Sequence, residues 1–229
     1  MAILEVFYQP GKLFASLPNR RGVWVLPLIL SLLIGLVASR VLIQRIGLDN
    51  IVRQQIESRP NMTPEQQQQA LNNANSPIIG YIVYGAVILG SLVVPLVIAG
   101  ALTIFGLMAT QQPKFGTTFS MVVLAYFPYT IVVSLMTLIV LYASADPTVL
   151  DYQNLLSTNV AAYMNKETTG KALYQFLTSM DILSFVEIGF LGYGFSKITR
   201  SSFFYGLFSV GALWALYVAL RVGLSFLQG

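Results

Sequence analysis

The chain contains neither cysteine nor histidine, and few of its residues are charged. Without cysteine there is no disulfide, thiolate metal site or cysteine nucleophile. Without histidine the commonest general base and transition-metal ligand are missing, which excludes a Ser-His-Asp triad and a histidine zinc site. We therefore predict no catalytic, cofactor-binding or metal-binding residues. The net charge of +4 is modest, and we predict no nucleic-acid partner.

The shortage of charge predicts a membrane protein. Only 10% of the 229 residues are charged and 55% are hydrophobic, whereas a typical soluble domain has about 25% charged residues. About 20 apolar residues in a helix cross the hydrocarbon core. Five stretches meet this length, at about residues 23–43, 78–108, 119–143, 182–198 and 202–227.

We predict an all-α, polytopic integral membrane protein with a single membrane domain, 1–229, and five transmembrane helices. The fourth span is the weakest because it is short and contains Asp181 and Glu187. The alternative is a four-span chain whose fourth segment is re-entrant.

Basic residues close to the spans predict the orientation, because cytoplasmic segments are enriched in Lys and Arg. With a cytoplasmic N-terminus, short inner segments hold Lys12, Arg20, Arg21, Lys114, Lys197 and Arg200. Residues 1–22 are then a cytoplasmic segment, and the loops 45–77 and 146–180 and the C-terminus are extracytoplasmic. The predicted location is the cell (inner) membrane, as a multi-pass protein.

Short interfacial helices are expected outside the spans. The N-terminal segment sets Phe7, Phe14 and Leu17 beside basic residues, which suits an amphipathic helix on an anionic leaflet. Thr63, followed by Pro64 and by Gln66, predicts a capped polar helix from about Pro64 to Asn73. Apolar residues at helical spacing in 146–180 predict one or two amphipathic helices on the outer membrane surface.

Small residues four apart predict packing seams, because they let helix backbones approach closely in lipid. The first span has Ser31, Gly35 and Ser39, and the fifth has Gly211, Ala215, Ala219 and Gly223. We expect these seams to join helices within the chain's own bundle; the alternative is a homo-oligomer.

Pro95 and Pro128 predict kinks within the second and third spans, and a hinge is the alternative.

Four ionisable residues fall in the same half of the predicted bundle: Asp181, Glu187, Arg40 and Arg221. Ionisable residues within a membrane are a functional-site hypothesis, so we predict a candidate intramembrane polar cluster. The alternatives are that Asp181 caps the fourth helix and that the arginines extend to the headgroups. Glu187 is expected to face the bundle, paired with a basic residue or a hydroxyl, or protonated.

Three segments carry a family resemblance: QPGKLFASLPNRRGVWVLPLIL, PKFGTTFSMVVLAYFPYTIV and SMDILSFVEIGFLGYGFSKITRSSFFYGL. Together they resemble the Yip domain family of five-span membrane proteins, although the family's tryptophan after the aspartate is absent, with Phe185 nearby. The resemblance implies a five-helix membrane domain without established catalytic chemistry. The N-terminal segment of about 22 residues looks like that of a bacterial member, some of which accompany ABC-type exporters and their periplasmic adaptors.

The resulting functional prediction is a non-enzymatic membrane scaffold or accessory subunit. Its expected partners are the lipid bilayer and other membrane proteins, among them an ABC exporter or periplasmic adaptor, or a second copy of the chain. Membrane trafficking or membrane organisation is a related role. The alternative is a small transporter or lipid-handling protein that uses the polar cluster around Glu187.

Overall fold

The computed structural model describes residues 2–57, 62–74, 76–165 and 168–227. Within these ranges the chain is helical apart from loops and one isolated β-bridge between Asn159 and Asp181. The α-helices are α1 (Ala2–Tyr8), α2 (Pro10–Ser16), α3 (Val25–Ile46), α4 (Leu48–Glu57), α5 (Pro64–Asn73), α6 (Pro77–Phe105), α7 (Phe115–Ala143), α8 (Lys171–Ser179), α9 (Ile182–Thr199) and α10 (Phe203–Leu227).

Four of these helices are long and apolar enough to cross a membrane: α3, α6, α7 and α10. This confirms an all-helical fold with four helices able to span a membrane, and the predicted count of five spans stays a prediction. The fourth predicted span corresponds to α9, which has 18 residues and is the shortest of the helices at the predicted spans. Parts of both predicted extracytoplasmic loops, at 58–61, 75 and 166–167, lie outside the described residues.

Helix α7 lies at the centre of the bundle and contacts α3, α6 and α9. Its residues from Thr118 to Ala125 are buried without interruption, so this segment is surrounded by protein on all sides. The buried hydroxyl of Ser120 donates to the Gly116 carbonyl at 2.7 Å. The hydroxyl of Thr118 likewise bonds to the Lys114 carbonyl, and polar groups in this core are thereby satisfied within their own helix.

The N-terminal segment packs into the bundle. Leu13, Phe14 and Leu17 are completely or almost completely buried. The Phe14 ring meets Phe190 and Tyr193 of α9 edge to face, at centroid distances of 5.5 and 6.5 Å. The predicted interfacial role therefore holds at most for the exposed side of α1, which presents Leu4, Phe7 and Tyr8. An amphipathic pattern shows only that one face avoids water, and here much of that face meets protein.

The backbones of α9 and α10 approach most closely at Gly192 and Gly206. A Cβ on Gly206 would collide with the Gly192 carbonyl oxygen, and a Cβ on Gly192 would lie 2.8 Å from the Leu207 Cα. The hairpin between the helices turns at Arg200, which has a left-handed φ of 51°. Its amide bonds to the Ser196 carbonyl and ends α9. This glycine pair is a helix seam of the kind expected in lipid.

The predicted small-residue stripes differ in their surroundings. In α3, a Cβ on Gly35 would lie 3.5 Å from the Val87 side chain of α6, an ordinary packing distance. In α10, Ala215, Ala219 and Gly223 are exposed. A Cβ on Gly211 or Gly223 would meet no described atom within 4 Å. At these two glycines the α10 stripe therefore does not pack against another helix of the described chain. Packing of the stripe against another molecule stays a prediction.

Helices α6 and α7 continue through Pro95 and Pro128. The Thr130 hydroxyl, two residues after Pro128, donates to the Tyr126 carbonyl at 3.1 Å. This carbonyl is not the one that Pro128 leaves without its helical donor, which is the carbonyl of Leu124. The kink and hinge interpretations of the two prolines stay predictions.

The loop end of the bundle, where residues 146–181 lie, is held by side chains that cap backbone groups. The Arg45 guanidinium donates to the Leu141 carbonyl near the end of α7, at 3.1 Å from Nη2. Gln54 of α4 donates to the Leu150 carbonyl and accepts from the Tyr152 amide.

The capping box predicted at Thr63 is confirmed, and α5 begins at Pro64 and ends at Asn73 as expected.

Replacing Gly206 with alanine should destabilise the protein by about 1–3 kcal/mol, the range for overpacking a well-packed contact. The matched control is Gly211→Ala on the same helix, where the added methyl meets open space. That control should be neutral or slightly stabilising, because alanine is the better helix former. Thermal unfolding in detergent, followed by circular dichroism, measures both. Equal melting temperatures for the two variants would contradict the Gly192–Gly206 seam.

Candidate functional site

A polar cavity of about 350 Å³ lies at the loop end of the bundle. It is bounded by α3, α7, α8, α9 and α10 and by the loop that precedes α8. The side chains that could bind a ligand there are Tyr129, Asn154, Tyr174, Gln175, Asp181 and Arg221. Leu42, Leu155, Leu156 and Leu183 give part of the wall an apolar character.

Asp181 forms one side of this cavity and begins α9. Its Oδ1 accepts from the Ser184 amide at 2.8 Å, which is the capping contact that the sequence predicts. Its Oδ2 accepts a short hydrogen bond from the Thr158 hydroxyl. The β-bridge with Asn159 holds the same segment in place. Asp181 is therefore both the cap of α9 and the joint between α9 and the preceding loop.

The two predicted arginine partners lie in different places. Arg221 of α10 is half-buried and lines the cavity together with Asp181. Arg40 of α3 is exposed and does not line it. Among the described residues no ion pair joins either arginine to Asp181 or Glu187; the ion pair that is present links Arg20 to Glu5 at 2.8 Å. The predicted cluster is thus reduced to Asp181 and Arg221 at the cavity.

Glu187 lies about two turns deeper in α9 and outside the cavity wall. Its carboxyl lies near the hydroxyl of Tyr126 from α7. Its Oε1 is buried and has no hydrogen-bond partner among the described residues. The pairing and the protonation state of Glu187 stay predictions, and Tyr126 is the hydroxyl placed to be its partner. The Tyr126 ring in turn meets Tyr129 edge to face at 6.3 Å, and Tyr129 borders the cavity.

The loop before α8 and α8 itself supply site residues that the sequence did not single out. Gln175 of α8 lines the cavity, and its Oε1 is buried without a hydrogen-bond partner among the described residues. The Tyr174 hydroxyl accepts from the Asn154 amide at 2.9 Å, which orients both side chains at the cavity wall. The only signal in the sequence was the amphipathic spacing that predicts a helix here, and it does not show which face meets the bundle.

Among the described residues no group of three or more Asp or Glu side chains is placed to hold a metal ion. What the cavity offers instead is one guanidinium, one carboxylate and several neutral hydrogen-bonding groups on a partly apolar wall. Such a set binds small polar groups that carry charge of both signs.

No family model, no curated protein and no solved structure matches this chain.

Asp181→Ala should destabilise α9 by about 1 kcal/mol through the lost cap, and by a further amount of about 1 kcal/mol through the lost bond to Thr158. Asp181→Asn should retain most of the stability, because asparagine caps helices as well as aspartate does. Chemical unfolding in mixed micelles compares the three proteins. If the asparagine variant were as unstable as the alanine variant, the charge of Asp181 and not its cap would be the stabilising feature.

Glu187→Gln should leave stability within about 0.5 kcal/mol of the natural chain, because the amide keeps a polar group beside the Tyr126 hydroxyl. Glu187→Leu should cost about 1–3 kcal/mol, since the half-buried Tyr126 side chain loses its polar neighbour. The double variant Glu187→Leu with Tyr126→Phe should recover most of the loss. Melting temperatures in detergent test the series. A glutamine variant as unstable as the leucine variant would show that the carboxyl makes a contact that an amide cannot replace.

Proposed function

We propose that the chain is a five-span, non-enzymatic subunit of a membrane complex, with α9 as the fourth span in chain order. The ends of α9 support this count. At one end Asp181 bonds to Thr158, and at the other the Thr199 carbonyl accepts from the Gln111 amide at 2.9 Å. A helix of 18 residues is roughly 27 Å long, close to the ~30 Å thickness of the hydrocarbon core.

The proposed orientation places the N-terminus in the cytoplasm and the C-terminus outside the cell (inner) membrane. Six basic residues support it: Lys12, Arg20, Arg21, Lys114, Lys197 and Arg200 are exposed at the bundle end opposite the cavity. Basic residues in short segments next to spans favour the cytoplasmic side. The cavity then opens on the extracytoplasmic side.

The exposed small-residue stripe of α10 is the observation that carries the proposed role. Membrane helices associate where small side chains let backbones approach, and lipid tails gain little from such a surface. Ala215, Ala219 and Gly223 present this surface outward. The intramolecular contacts of α10 are made at other positions, among them Gly206, the buried Val210 and Val218, and Trp214, whose ring meets Phe185. We propose that a transmembrane helix of another subunit packs on the stripe.

The family resemblance supports a specific kind of partner. An ABC-type exporter assembly, with its periplasmic adaptor, is the complex we propose, or a related assembly in membrane organisation or trafficking. A second copy of the chain is the other occupant that the stripe suits. The alternative function, transport or lipid handling around Glu187, has less support, because Glu187 and Arg40 do not line the cavity.

Single-cysteine crosslinking tests the docking surface, and the cysteine-free chain is well suited to it. Ala219→Cys should crosslink to a neighbour in native membranes. Ala86→Cys, on an exposed alanine of α6, is the matched control and should not. An adduct of twice 25.2 kDa would identify a second copy, and any other mass a different subunit.

A second pair of variants tests the same surface by enlarging one side chain on it. Ala219→Leu should abolish co-purification of the crosslinked neighbour in mild detergent, because the larger side chain separates the backbones. Ala86→Leu should retain the neighbour. Equal crosslinking from positions 219 and 86, or full retention of the neighbour by Ala219→Leu, would rule out the stripe as the docking surface.

A further inference from the structure

Two polar groups at the cavity are left without partners by the rest of the described chain. The half-buried Arg221 guanidinium has no ion pair or hydrogen bond among the described residues. A guanidinium has five donors and no acceptor, so its partners here are water or the acceptors of a ligand. The Gln175 side chain lines the cavity, and its Oε1 is buried and accepts from no donor among the described residues. Buried polar atoms are rarely left unpaired, so a donor toward which the amide turns would satisfy it.

We propose that this cavity binds a phosphoethanolamine-type headgroup, in which a phosphate and a primary ammonium lie two carbons apart. Arg221 binds the phosphate, as guanidinium groups do through paired N–H donors. Gln175 Oε1 and the free lone pairs of Asp181 accept from the ammonium. The site does not depend on whether α10 binds a partner, so the two proposals can fail separately.

The charges at the cavity select a ligand with no net charge. Asp181 and Arg221 contribute one charge of each sign to the wall. A purely anionic ligand would meet the Asp181 carboxylate, with Glu187 deeper in the same helix, and a purely cationic one would meet Arg221. A zwitterion places each of its charges against the opposite charge of the wall.

Aromatic side chains favour the ammonium end. Tyr129, Tyr152 and Tyr174 line the cavity, and tyrosine rings attract ammonium groups through their electron-rich faces. The Tyr174 ring is held in place by the bond from Asn154 to its hydroxyl. The ammonium site is therefore formed by acceptors and rings, and the phosphate site by Arg221.

The cavity's size and position indicate a lipid as the source of the headgroup. The cavity volume is about 350 Å³. This is near the lower end of the range for ligand pockets, which starts at ~300 Å³. The cavity is therefore large enough for a headgroup and too small for the acyl chains as well. Leu42, Leu155, Leu156 and Leu183 supply an apolar wall where the lipid's glycerol and upper acyl carbons would leave the cavity. The cavity extends from the loop end of the bundle, at Leu42 near the end of α3, to Tyr129 in the middle of α7, so a lipid headgroup would enter it from the adjacent headgroup layer.

Binding is tested with the full chain in nanodiscs of phosphatidylcholine that contain a small fraction of phosphatidylethanolamine or of phosphatidylglycerol. Native mass spectrometry counts retained lipids. We expect selective retention of phosphatidylethanolamine by the natural chain and a loss of roughly tenfold or more in Arg221→Gln, the effect of removing a hydrogen bond to a charged group. Arg40→Gln is the matched control: an exposed arginine outside the cavity, whose replacement should leave retention unchanged.

A second arm separates lipid from free headgroup, using soluble glycerophosphoethanolamine, a phosphodiester with no net charge at neutral pH, and isothermal titration calorimetry in detergent. Binding there without selective lipid retention would support the headgroup chemistry and show that the ligand is a free small molecule. Gln175→Leu should weaken either ligand, and it serves as the second variant if Arg221→Gln unfolds. Equal retention of both lipids with no calorimetric binding would overturn the proposal. So would equal losses in Arg40→Gln and Arg221→Gln.

Discussion

The contact between the α9 and α10 backbones at Gly192 and Gly206 sets the geometry on which the rest of the structure depends. Because neither residue has a Cβ, the two helices cross at backbone distance just beyond the hairpin at Arg200. From that hairpin both helices run to the loop end. Asp181 and Arg221 are each about 20 residues from Arg200, roughly 30 Å at helical rise. They therefore reach the same depth and line one cavity, although they are distant in the sequence.

The two ends of the bundle differ: the N-terminal end is tightly packed, and the loop end contains the cavity. At the N-terminal end, α2 inserts Leu13 and Phe14 beside the buried segment of α7, and these groups leave little room for a ligand. At the loop end, Arg45 and Gln54 hold loops through hydrogen bonds to backbone groups. The cavity lies between these loops and the helices, and the side chains of Arg221 and Gln175 line it. Binding residues are often found on loops that a packed scaffold holds in position, and the loop end of this bundle has that arrangement.

Some of this architecture could be predicted from the sequence, because it depends on local chemistry. Hydropathy predicted the four long apolar helices, and cap residues predicted the start of α5 at Pro64 and the role of Asp181. The contacts between helices could not be predicted in the same way. Spacing of small residues within α10 indicates a surface suited to close approach, but the crossing point also depends on the partner helix. The spacing pointed to Gly211 and Gly223, whereas α9 meets α10 at Gly206.

Helix α9 shows why ionisable residues in an apolar segment require separate explanations. Asp181 accepts from an amide and a hydroxyl at the start of α9. Glu187, two turns later, lies near the Tyr126 hydroxyl, and its buried Oε1 has no hydrogen-bond partner among the described residues. A carboxylate is costly in lipid, and the two carboxyl groups differ in how far hydrogen bonds offset that cost. Neither uses Arg221, although Asp181 shares a cavity with it. Among the described residues Arg221 has no ion pair or hydrogen bond, so it, and not the deeper carboxyl, is the charged group that the proposed ligand would use.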